Sequence, residues 1–135
     1  FMDLANIDLQ AAAENGIDVK LQHPVTGDYL ADDNGDHLVI TVLGKDSETW
    51  QTAAKRINTK NANRYKGKNV PNSALENALY EILSECTVKW TKNIEFDGEA
   101  LKCSKENALM LYEKRNWIAE QLVEAAGDRA SYFLK

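Results

Sequence analysis

Apolar and polar side chains alternate from Ile17 onward, Val19 and Leu21 against Lys20 and Gln22, until Pro24 and Gly27 break the run. A period of two predicts a half-buried strand followed by a turn. Tyr29 to Ala31 is a second short strand candidate, and Asp33-Asn34-Gly35-Asp36 supplies residues suited to the positive backbone angles of a tight hairpin. Leu38 to Leu43 is apolar on both faces except for Thr41, which predicts a strand covered on both sides. Residues 17–44 therefore read as a small antiparallel meander. Ahead of them, Leu4 to Gly16 holds an Asp8-capped, alanine-rich stretch that reads as a short helix or an arm.

After Gly44 the pattern turns helical. Asp46 or Ser47 can cap a helix that carries Trp50, Ala54, Ile57 and Tyr65 on one face and ends near Gly67. Pro71 blocks continuation, and Ser73 with Glu76 matches a capping box. The helix starting there is predicted to carry Leu75, Ala78, Leu79, Ile82, Leu83, Cys86 and Trp90 as one apolar stripe. An Asp97-Gly98 turn flanked by Ile94, Phe96, Leu101 and Cys103 predicts a small hairpin or an ordered loop. A third helix, capped by Ser104, breaks near Asn116, and a fourth with Trp117, Ile118, Leu122 and Ala125 ends at Gly127. The expected fold is α+β within one domain spanning 1–135. An N-terminal three-stranded antiparallel meander over 17–44 packs on a mainly α-helical C-terminal part, about four helices over 46–135.

Composition adds little to that picture. Hydrophobic residues make up 44% and charged residues 27%, ordinary values for a soluble globular chain. At 135 residues the chain can bury about two-thirds of the surface that it exposes when unfolded, without a metal or disulfide. The longest apolar runs fall short of the roughly 18 residues that cross a bilayer, and no secretory signal is seen, so a cytosolic address is expected. Phe1 ahead of Met2 reads as a residue added for expression. Cys86 and Cys103, 17 positions apart with no CxxC spacing, read as free thiols.

Candidate chemistry fails on spacing. Placing Gly35 at the sixth position of a calcium loop puts Leu30 and Thr41 where carboxylates are required, so Asp32, Asp33 and Asp36 read as a polar hairpin tip. Gly44-Lys45 sits where a phosphate loop would be, but the first glycine is replaced by Val39, and Asp46 stands where Ser or Thr is needed. Cys103 precedes a helix N-terminus, yet no base partner or oxyanion donor can be named for it. The two histidines are too few, and too poorly spaced relative to the cysteines, for zinc. No catalytic, cofactor-binding or metal-binding residue is expected, and the chain is not expected to be an enzyme.

Charge is distributed unevenly. Lys55, Arg56, Lys60, Arg64, Lys66 and Lys68 form a run of six cations without an intervening acid, so with a net charge of -5 the remainder carries -11. Arg56, Lys60 and Arg64 recur every four residues and could meet an acidic partner, a nucleic acid or a second copy, or simply form a solvated face. Trp50, Trp90 and Trp117 each fall on an apolar helical face and read as core, although such aromatics are also the usual anchors of protein interfaces. Tyr132-Phe133-Leu134, close to the chain end, must dock on the core or meet a partner.

The C-terminal half resembles the tail assembly chaperones of long-tailed bacteriophages and prophages. The likeness lies in Trp90, Ile94, Phe96, Asp97 and Gly98; in Ser104, Glu106, Asn107, Ala108, Leu111 and Tyr112; in Trp117, Ile118, Gln121 and Leu122; and in Asp128, Arg129, Phe133 and Leu134. The segment Gly27 to Ser47, with its Gly44-x-Asp46-Ser47 ahead of a helix, is similar to the N-terminal part of some members. From the residues themselves, no cofactor and no membrane partner are expected; the resemblance implies a non-enzymatic protein that acts in the host cytoplasm and is absent from the mature virion. It would bind the helical, aggregation-prone tape measure protein. The tail tube protein would be recruited by a frameshifted, extended form. Helix-in-groove binding suits such a client, and Trp117, Leu122, Tyr132 and Phe133 are the expected contacts. The rival readings are another small phage tail or connector component, or a nucleic-acid-binding regulator using the basic stripe. Nucleic acid is the less expected partner because of the net charge.

Overall fold

The computed structural model describes residues 2–134. Asp3 caps a single 3-10 turn at Leu4–Asn6, and Asp8 accepts the Ala11 N–H to start α1, Leu9–Glu14. β1 (Ile17–Lys20) and β2 (Val39–Val42) pair antiparallel, Ile17 opposite Val42 and Lys20 opposite Val39. Between them the chain makes a long, irregular excursion. It carries isolated bridges from Gln22 to Tyr29 and from Ala31 to His37. Three backbone bonds close a ring at its base: Leu21 N–H to Leu38 C=O, Leu38 N–H to Leu30 C=O, and Leu30 N–H to Leu21 C=O.

α2 spans Glu48–Tyr65 behind Ser47, whose hydroxyl accepts the Trp50 N–H at 3.1 Å. α3 spans Asn72–Cys86, and β3 (Thr87–Trp90) follows without a break. A hairpin of β4 (Glu95–Phe96) and β5 (Glu99–Ala100) turns at Asp97 and Gly98, with φ of 53° and 83°. Two successive left-handed residues are what a type I′ two-residue hairpin turn requires. α4 (Lys105–Lys114) starts at Ser104, whose side chain accepts the Asn107 N–H, an interaction worth about 1 kcal/mol. α5 (Asn116–Gly127) and α6 (Arg129–Phe133) complete the chain.

The α+β class holds, with a three-stranded antiparallel sheet ordered β1-β2-β3, but the strands are placed differently from expectation. The third strand is not Tyr29 to Ala31; it is Thr87–Trp90, which continues the helical stripe in the sequence. The carbonyl of Val39 and the N–H of Leu43 point away from β1. They find partners in Thr91 N–H and Cys86 C=O, which only a strand at 87–90 can present. β-branched Thr87 and Val88 favour that outcome. Thr87 also spends its hydroxyl on Leu83 C=O and Tyr112 Oη. The Ser73–Glu76 capping box is likewise not formed. Helix α3 begins one residue before Ser73, behind Pro71, without a side-chain cap.

The main core lies between the sheet and the helices. Ile40 and Val42 meet Ile82, Leu83 and Cys86 of α3, Leu111 and Tyr112 of α4, and Ile118 and Leu122 of α5. A smaller cluster of Ala13, Ile17 and Tyr132 joins α1 to α6. No helix among the described residues is long and apolar enough to cross a membrane.

Candidate functional site

The four expected contact residues have different fates. Leu122 is 0% exposed, because α5 turns Ile118, Ala119, Leu122 and Ala126 inward. Tyr132 is buried too, its ring against Ala13 and the backbone of Gly44. Neither offers a surface to a partner in this state, so the expectation for both is corrected. Trp117 is half-buried against the core, and Phe133 is exposed. Trp50 and Trp90 are core, Trp90 from a strand rather than a helix; its indole N–H donates to Leu101 C=O at 2.8 Å.

A polar clasp fixes Tyr132. Asp128 caps α6 through the Ala130 N–H and the Ser131 hydroxyl. Arg129 makes a forked contact to Asp46, 2.9 Å from Nε and 3.1 Å from the terminal nitrogen, and the Tyr132 hydroxyl donates to the same carboxylate. Hydrogen bonds from Arg129 and then Tyr132 hold the Asp46 carboxyl below the usual aspartate range. Burial, reinforced by Asp46, pushes the Tyr132 phenol up to about 12. Each shift sets a pH window. The Asp46 contribution is present above about pH 4 and lost as pH falls through its depressed value. The Tyr132 contribution is present below about pH 10 and lost as pH rises from there to about 12. Thermal melts should therefore show a steeper alkaline loss of Tm between those limits for the native chain than for Tyr132→Phe. Parallel curves would mean that the clasp contributes nothing.

With α6 clasped, α1 packs on α6 and brings the two terminal helices together. Met2, Leu4 and Ile7 from one segment and Phe133 and Leu134 from the other remain exposed. They make up most of the exposed large apolar side chains among the described residues. Elsewhere such residues are scattered: Val25, Tyr29, Leu75 and Val88.

The basic stripe is not continuous. Arg56 pairs with Glu85, which also meets Lys105 at 3.2 Å. Burial alone would raise the Glu85 carboxyl, but these two cations hold it below the usual glutamate range. Lys60 and Arg64 stay exposed beside a groove of about 280 Å³ between α2 and α3. A larger open groove of about 830 Å³ runs past Glu14, Thr52, Arg56, Glu85, Val88 and Lys105.

The remaining candidates are occupied structurally. Asp32 accepts the Asn34 and Asp36 N–H groups and the Asn93 amide, which hold its carboxyl below the usual range, Asn93 most strongly. Burial pushes the Cys103 thiol up, offset only in part by the Trp90 N–H, and pushes Cys86 up to about 12. Both thiols are protonated at neutral pH, the opposite of an activated nucleophile. Comparison with protein families, with functionally curated proteins and with solved structures finds no match to this chain.

Proposed function

We propose that the chain is a phage tail assembly chaperone, a non-enzymatic protein that binds segments of the tape measure protein in the host cytoplasm and is absent from the finished virion. The ordered set of residues from Trp90 to Leu134 suggests the family. The observation that carries the binding role is the apolar surface left on the paired terminal segments. Large apolar side chains left exposed on and beside two helices that pack together suit a contact surface, and an amphipathic client helix is a fitting occupant. On this reading Phe133 and Ile7 are the principal contacts, and Trp117, packed on the main core at the start of α5, is not assigned to this surface. Tyr132 supports the surface from beneath, in the cluster with Ala13 and Ile17, and Leu122 belongs to the main core. The tail tube protein would be met through an extended, frameshifted form of the chain.

Co-expression with tape measure fragments tests this. The native chain should co-purify with at least one fragment. Ile7→Ser combined with Phe133→Ser should lose most of that capture with Tm unchanged within about 2 °C, because both side chains are exposed. Undiminished capture by the double variant would remove the surface assignment. Absence of capture by the native chain would remove the chaperone reading.

A further inference from the structure

β1 is an outer strand of the sheet, and its free edge is built differently from end to end. Leu21 N–H bonds to Leu38 C=O, so in an antiparallel ladder Ile17, Val19 and Leu21 point their backbone groups at β2. Asp18, Lys20 and Gln22 then point theirs outward. At Gln22 the outward groups are satisfied by one side chain. Gln121 of α5 accepts the Gln22 N–H at 2.9 Å and donates to the Gln22 C=O at 2.8 Å. That carboxamide occupies the place of a neighbouring strand's peptide group. At Asp18 and Lys20 no such partner is present among the described residues. Both are exposed and open onto a groove of about 560 Å³ between β1 and α5.

The groove is also selective. Val19 and Ala125 line it, with Tyr29 on the wall. Its charged residues are Asp18, Glu124 and Asp128 against Lys20 alone. An edge with unsatisfied donors and acceptors, beside an acidic trough with an apolar floor, suits an extended segment that alternates cationic and apolar side chains.

We propose that the β1 edge at Asp18 and Lys20 accepts an extended cationic peptide as a fourth strand, and that Gln121 sets where the added strand stops. This site is independent of the terminal apolar surface.

The probe is a capped hexapeptide of alternating lysine and valine, added to the full chain labelled for amide hydrogen exchange. Exchange at Asp18 and Lys20 should slow about tenfold while Val19, already bonded to β2, stays unchanged. Glu124→Lys should weaken binding about tenfold. In Gln121→Ala the Gln22 amide should exchange freely until peptide is added and then join the protected set. Unchanged exchange at Asp18 and Lys20 would overturn the proposal. So would equal binding of the peptide N-methylated at every residue, which lacks backbone donors. Protection of the same amides without peptide, accompanied by a dimer in sedimentation, would assign the edge to a second copy and overturn it as well.

Discussion

Leu122→Ala is expected to lower stability by about 3 kcal/mol, a fall in Tm of about 10 °C for a chain of this size. Leu122 is fully enclosed, on the face of α5 that packs against the sheet, α3 and α4. Truncation removes its transfer free energy and leaves a cavity. The rigid neighbours cannot close it, because α5 is tied to distant segments: the Gln121 carboxamide bonds the Gln22 backbone and the Lys45 N–H donates to Ala126 C=O. Phe133→Ala, on an exposed side chain, should move Tm by no more than about 2 °C. The pair of variants separates core from contact, since a contact residue loses capture without losing stability. A Tm change below about 3 °C for Leu122→Ala would mean that the α5 packing described above is wrong.

That pair also shows where sequence reasoning succeeded and where it stopped. Local chemistry was legible. Ser47 and Ser104 cap the helices that they announce, and the Asp97-Gly98 dipeptide makes the turn that its backbone preferences require. Each of these depends on a few neighbouring residues. The third strand was not legible, because Cys86 and Trp90 are four apart and fit a helical stripe. What makes 87–90 a strand is the demand of β2 for partners, a demand set in a distant part of the chain.

The site was legible to a still smaller degree. Sequence reasoning singled out the terminal aromatics but could not divide them. Tyr132 goes inward because Asp46 and Arg129, 83 positions apart, join to receive its hydroxyl, and Phe133 on the same short helix is left outside. Gln121 and Gln22 are 99 positions apart, and nothing in either neighbourhood suggests that one completes the backbone pairing of the other. Arg56 was read as part of a free cationic stripe because Glu85, which neutralises it, lies on another helix. Periodicity reports which face is apolar; it carries no information on which distant group satisfies a polar one.

Gly44→Ala is expected to cost about 2 kcal/mol and to loosen α6 specifically. The argument is steric rather than conformational, since no left-handed backbone is involved at Gly44. A methyl carbon there would stand 2.8 Å from Cε1 of Tyr132 and 2.9 Å from Cβ of Ala13, well inside van der Waals contact. The backbone cannot retreat easily, because the Gly44 N–H donates to Ala13 C=O at 3.1 Å and the next residue's N–H to Ala126. The ring of Tyr132 is the part that can leave, but doing so breaks its hydrogen bond to Asp46 and uncovers Ala13 and Ile17. Proteolysis near the C-terminus should therefore accelerate more than global unfolding does, and in a Tyr132→Ala background the cost of Gly44→Ala should fall by about 1 kcal/mol. Additive effects would show that the ring and the glycine do not meet. If capture of tape measure fragments needs the terminal segments side by side, Gly44→Ala should weaken it although residue 44 is itself buried and touches no client. Retained capture despite a loosened α6 would confine the binding surface to the N-terminal segment alone.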